Sequence, residues 1–169
     1  MKKLIALILV AVMAVSMVAC GSKAADKAPL EGTMEENVMK IMEIAPVEFM
    51  GGAIPVDLAD NDSVFYFTGL SSAENITDVS VYEPMMGSQA FSLVMVRTAE
   101  GADPKAVAEE MKAGIDPRKW ICVGADEIMA AGYGDTVMFI MLDSQLGLSA
   151  QSYVDAVAQV AGAELDFTI

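Results

Sequence analysis

The sequence predicts an α+β domain. Its expected centre is a four-stranded antiparallel sheet built from two strand–strand–helix units. Two helices lie on one face, and a further helix precedes them. Three observations lead there. Strand patterns come in pairs, at 76–83 with 89–98 and at 120–131 with 136–142. A capped amphipathic helix pattern follows each pair. The two units also align at an offset of 46 residues, which sets Met95 on Met141 and Leu93 on Phe139.

The first element is a helix over 33–45. Thr33 and Glu36 have the spacing of a capping box, in which each side chain satisfies an amide at the helix start. Met34, Val38, Ile41 and Met42 then recur at helical spacing, and Pro46 stops the run. Residues 46–60 hold Pro46, Gly51, Gly52 and Pro55 and read as loop. The stretch 60–69 carries strand-loving Val64-Phe65-Tyr66-Phe67, but Asp60 and Gly69 are cap residues, so it reads as a short helix.

Ile76 to Glu83 alternates and reads as a strand, and Gln89 to Thr98 as its partner. Asp103-Pro104 opens a helix, with Asp as N-cap and Pro at the first helical position. Trp120 to Ala131 is expected as a strand bulged near Gly124, and Gly132-Tyr133-Gly134-Asp135 as a turn. Thr136 to Leu142 is the fourth strand, and Ser149 to Gly162 the last helix. The strands at 91–96 and 137–142 are apolar on both faces, whereas a sheet covered on one side alternates apolar with polar. Something must cover the second face: either residues 33–70, or a partner protein or second copy laid on the sheet.

Ahead of the domain, Met1-Lys2-Lys3 is a basic start and Leu4 to Val18 an uncharged, almost wholly apolar run. The run is short for a membrane span, which needs roughly 20 apolar residues. It ends in Met17-Val18-Ala19-Cys20-Gly21, which resembles a bacterial lipoprotein signal with Cys20 as the acylated first residue. The expected organisation is a signal peptide over 1–19, a lipidated flexible tether over 20–32 and one domain over 33–169. The expected place is the extracytoplasmic face of the cell membrane, with the membrane itself as partner through the anchor at Cys20.

The chain of 169 residues has 10 Lys+Arg, 24 Asp+Glu and no His. Its net charge of −14 would become −16 once Lys2 and Lys3 leave with the signal segment. Such a surface repels phosphates, so nucleic acid is excluded as a partner. Without His, imidazole is excluded as base, shuttle or metal ligand. Cys122 lies between Ile121 and Val123 in an apolar pattern and reads as buried and inert. The Met residues fall at core spacing apart from Met85 and Met86, and read as gap fillers rather than copper ligands. The acidic run Asp57 to Asp62 lacks the alternating ligands of a calcium loop. No catalytic residues, metal site or cofactor is assigned.

Asp116-Pro117-Arg118-Lys119-Trp120 concentrates cations beside the single Trp, the pairing that most often carries interface energy. Arg118, Lys119 and Trp120, with Tyr133 in its turn, are the candidate binding residues. An interaction module in the cell envelope is the leading expectation. The alternatives are an envelope enzyme using paired carboxylates and a small-ligand or ion-binding lipoprotein.

From about 65 to 161 the chain resembles a family of uncharacterised lipoproteins of Gram-positive anaerobes that share a domain of unknown function. Four features carry the resemblance: the Tyr66/Gly69 segment, the strand ending Val94-Met95-Val96-Arg97, the helix opening after Asp103, and the apolar hairpin from Gly132 to Leu142. The resemblance implies a lipoprotein signal and a small α+β domain, and brings no catalytic residue, cofactor or substrate.

Overall fold

A computed structural model describes residues 27–169. The expected signal peptide over 1–19, Cys20 and the first part of the expected tether lie outside the described residues. The elements run α1 (Met34–Ile44), β1 (Gly51–Pro55), α2 (Asn61–Thr68), β2 (Ile76–Pro84), β3 (Phe91–Thr98), α3 (Pro104–Gly114), β4 (Glu127–Tyr133), β5 (Thr136–Leu142), a 3-10 turn (Ser144–Leu146), α4 (Ala150–Ala161) and β6 (Phe167–Thr168).

The caps do the work that the sequence assigns to them. Thr33 and Glu36 form the reciprocal capping box of α1. Asp60 accepts from the amides of Asp62 and Ser63 at the start of α2, which ends at Gly69 in the left-handed region. Asp103 and Pro104 open α3, and Ser149 and Gly162 bracket α4.

The fold is α+β with one antiparallel sheet, but the sheet has six strands, in the order β1-β2-β3-β5-β4-β6. Two strands were not expected. β1 forms inside the segment read as loop, paired with β2 from Gly51↔Pro84 to Pro55↔Ser80. Its glycine is a fitting residue: a Cβ on Gly51 would lie 2.5 Å from a Tyr82 ring carbon. β6 adds to β4 through Gly132↔Phe167, where the missing side chain of Gly132 makes room for the Phe167 ring.

The helices do not share a face. α1 and α4 pack on one side, over Tyr82, Phe91, Leu93, Met95, Met138, Ile140 and Leu142. On the other side α2 and α3 cover Val79, Val81, Val94, Val96, Val137, Phe139 and Met141. Each residue from Phe91 to Val96 and from Val137 to Leu142 is 0 % exposed. The doubly apolar strands thus have an intramolecular explanation. The chain's own helices cover both faces of the inner strands β3 and β5.

The fourth expected strand is displaced. Only 127–133 is extended, and Trp120 to Asp126 is irregular. Cys122 takes φ +63°, which breaks an extended run. The amide of Ala125 turns back to the carbonyl of Pro117. Gly132 and Tyr133 belong to β4, so the hairpin closes through Gly134 and Asp135 alone.

The last part of the expected tether, from Lys27 to Gly32, is held against the domain. Leu30 is buried among the residues under α1. Arg97 donates to the carbonyls of Leu30 (2.6 Å) and Gly32 (3.0 Å). Lys27 pairs with Asp166 at 2.6 Å, donates to the carbonyl of Glu164 and stands 5.0 Å from the Tyr133 ring centroid. The chain is therefore fastened from Lys27 onward, at the sheet end that carries the β4–β5 hairpin.

Candidate functional site

The opposite end of the sheet holds the most unusual chemistry of the described residues. The connection from α3 to β4 passes over the ends of β2 and α2. Its Lys119 points inward, with a side chain only 3 % exposed, and meets Glu83 of β2 at 2.6 Å. The Lys119 ammonium also donates to the carbonyl of Tyr66 at 3.3 Å. Three rings surround it, with centroids at 4.6 Å (Tyr66), 5.3 Å (Phe67) and 5.5 Å (Trp120). A lysine enters such a place because an aromatic face attracts a cation and a carboxylate neutralises it.

Burial dominates the electrostatics. It pulls the Lys119 ammonium below the usual lysine range, and Glu83 and then Asp116 offset this only in part. Burial likewise raises the Tyr66 phenol, with the Glu83 charge adding to it. A buried amine of lowered basicity has the makings of a nucleophile. Here it is closed to solvent and held by a carboxylate, so the arrangement positions a loop. What it positions is Trp120, buried against the α2/α3 layer, and the residues that follow.

Those residues form an exposed apolar cap. The amide of Met85 donates to the carbonyl of Met50 at 2.9 Å, continuing the β1–β2 ladder one rung beyond Gly51↔Pro84. Cross-strand residues share a face of the sheet, so Met50 and Met85 stand side by side. The amide of Ile121 donates to the carbonyl of Gly87 at 2.8 Å, which ties the Lys119 loop to the β2–β3 turn. Met50 is 77 % exposed, Met85 74 %, Ile121 73 % and Met86 66 %. The free thiol of Cys122 adjoins them and is exposed, not buried as the apolar sequence pattern suggested. The positive φ at Cys122 is what turns this segment out of the core.

The four candidate binding residues separate. Lys119 and Trp120 come together in the cage, where Lys119 is a neutralised structural cation. Arg118 is exposed beside them, its backbone amide taken by Asp116 in a tight turn. Tyr133 stands at the far end of the sheet under Lys27. It packs on the α1/α4 side and is only partly exposed. Sequence reasoning missed Glu83, Tyr66 and Phe67 as cage residues, and Met50 and Ile121 in the cap. The available signal was a set of large apolar residues beside glycine and proline, at Met50-Gly51 and Pro84-Met85-Met86-Gly87, where a core residue is out of place.

Two shallow grooves flank the α1/α4 layer, of about 580 and 450 Å³. The first is lined by Asn37, Lys40, Tyr133 and Val160 among others. Two of its polar side chains are engaged: Asn37 donates to the carbonyls of Glu31 and Thr33, and Lys40 reaches the carbonyl of Glu31 at 3.4 Å. Among the described residues, no group of three Cys, Asp or Glu side chains gathers where it could hold a metal ion. Likewise, no described helix is long and apolar enough to cross a membrane. No protein-family model, curated protein or solved structure matches the chain.

Proposed function

We propose that the chain is a membrane-anchored extracytoplasmic lipoprotein, held through Cys20, whose domain is an interaction module of the cell envelope. One observation carries the reading. The exposed apolar cap of Met50, Met85, Met86 and Ile121 lies at the sheet end opposite Lys27, where the chain is fastened. An eight-residue strand such as β3 separates the two ends by about 25 Å. An anchor on one end thus presents the other end outward. Methionine suits such a surface, because its flexible, polarizable side chain adapts to a partner.

The partner we infer is a protein. The anchored chain's net charge of −16 sets two copies against each other, so a second copy is the less favoured occupant. An apolar contact flanked by Lys and Arg is the complementary surface. The first groove favours a ligand carrier less, since its Asn37 and Lys40 are already paired within the chain.

The test is site-specific photo-crosslinking of the full-length lipidated chain in host membranes. A photoreactive residue at position 121 is compared with one at Glu109, exposed on α3. A discrete adduct is expected from 121 alone, and it should disappear in Met85→Glu. Adducts equally strong from both positions, or none from 121, refute the module reading.

A further inference from the structure

We propose that Met50, Met85 and Met86 form a reversible oxidation site, and that their conversion to sulfoxides turns the apolar cap into a polar one without unfolding the domain. The consequence for partners rests on the interaction-module reading; the modification itself does not.

The argument is one of contrast within a single chain. Met34, Met95, Met111, Met138 and Met141 are each 0 % exposed, so oxidants reach them only when the fold opens. Met50, Met85 and Met86 are 77 %, 74 % and 66 % exposed. Of the other described methionines, Met39 on α1 is the most open, at 44 %. The three cap residues also lie close along the backbone at one end of the sheet. Met50 and Met85 occupy one rung of the β1–β2 ladder, and Met86 follows in sequence. Several sulfurs therefore change in one patch, whereas a lone exposed Met changes little.

The co-reactant is a two-electron oxygen donor of the peroxide class. A thioether lone pair attacks one peroxide oxygen. The O–O bond breaks, an S–O bond forms, and water leaves after proton transfer. Sulfur loses two electrons and the peroxide oxygens gain them. Two thiols reverse the step through a sulfoxide reductase, giving the thioether, a disulfide and water. The product is a strongly polar acceptor on a side chain that was apolar. Since these side chains already face solvent, the new dipoles are hydrated and the core is untouched.

The experiment uses the full chain carrying Cys20→Ser and Cys122→Ser, so that thiol oxidation does not intrude. Hydrogen peroxide is titrated in, and sulfoxide at each Met is read by peptide mass spectrometry. Near-UV circular dichroism follows the fold. The cap methionines are expected to oxidise at least about tenfold faster than the five core methionines, with the near-UV spectrum unchanged. Retention on a phenyl matrix should fall with their oxidation and return after treatment with reductase and dithiothreitol. Met50→Leu/Met85→Leu/Met86→Leu should keep its retention through the same treatment. Equal rates at cap and core, or loss of the near-UV signal in step with cap oxidation, overturn the site. Selective oxidation with unchanged phenyl retention overturns the polarity switch. In the crosslinking assay, a position-121 adduct that survives cap oxidation also overturns the switch. An adduct absent even before oxidation instead counts against the module reading and leaves the modification result standing.

Discussion

Replacing both members of the Lys119–Glu83 pair should be far milder than replacing either one. Lys119 is 3 % exposed and Glu83 14 %, and they meet at 2.6 Å. Lys119→Met leaves the Glu83 carboxylate against aromatic rings with no counter-charge. Breaking a buried pair in this way costs about 3–5 kcal/mol. With a urea slope of about 2 kcal/mol/M, the midpoint should drop by roughly 2 M. Glu83→Leu strands the ammonium and should cost a similar amount. The double variant Glu83→Leu/Lys119→Met removes both desolvation penalties and keeps the volume. Its stability should fall within about 1 kcal/mol of the native chain or above it. The net lowering of the Lys119 pKa points the same way, because it says that attraction to Glu83 does not repay burial. The sign in pH follows. Below the lowered folded value both states hold the proton. Between that value and the ordinary 10.5, the unfolded chain alone holds it, so native stability climbs with pH. Lys119→Met should lack that climb. Urea melts of the four chains give the coupling energy directly. A double variant as unstable as the sum of the singles refutes the argument.

Three further outcomes follow from single contacts. The Tyr153 hydroxyl is buried with no partner among the described residues, so Tyr153→Phe should hold or raise stability, by up to about 2 kcal/mol in urea melts. Burial pushes its phenol up to about 12, and the unfolded phenol titrates near 10. Stability from this group should thus decline as pH rises from 10 to about 12, and Tyr153→Phe should abolish that component. Arg97→Ala removes donors to Leu30 and Gly32 and should cost about 1–3 kcal/mol, with faster amide exchange across 27–33 as the local readout. Asp126 accepts from the amide and hydroxyl of Ser144, which hold its carboxyl below the usual 3.8. Its stabilisation is present above 3.8 and lost as pH falls through the lower folded value, so Asp126→Asn should flatten that part of the acid titration.

The sequence made legible what is decided locally. All four described helices were readable, because each starts on a side chain that caps its own amides: Thr33, Asp60, Asp103 and Ser149. The strands β2, β3 and β5 were readable from long apolar or alternating runs. The failures are non-local. Gly51-Gly52-Ala53-Ile54-Pro55 has poor strand propensity and is extended only because β2 offers a partner and Tyr82 needs the space at Gly51. Trp120 to Val123 has strand propensity, yet it coils. A buried ion pair with a residue 36 positions away outweighs the local preference. The cage was half visible as Lys119-Trp120. Its other half comes from β2 and α2, and no spacing rule links them.

The apparent repeat shows why the helices had to be misplaced from sequence. Met95 aligns with Met141 at an offset of 46 residues, but the two face opposite sides of the sheet. β3 and β5 are antiparallel neighbours, with Met95 opposite Met138. A two-fold rotation that exchanges antiparallel neighbours keeps each residue on its own face. Opposite faces for aligned residues therefore rule out symmetric copies, and the helices obey the same parity. α4 stays over β4 and β5 on one side. α3 leaves β3 and also packs over β4 and β5, on the other side. The first unit thus lends its helix to the second, and its own strands need cover from elsewhere. α1 supplies it on one face, and α2 contributes on the other. Residues 34–68 are thereby structurally obligatory. The 46–60 connection between their helices has to cross from one face of the sheet to the other at its β2 edge. β1 is the strand that this crossing deposits there. It carries Met50 to the end of the sheet, beside Met85, and so one member of the exposed cap is a by-product of covering the core.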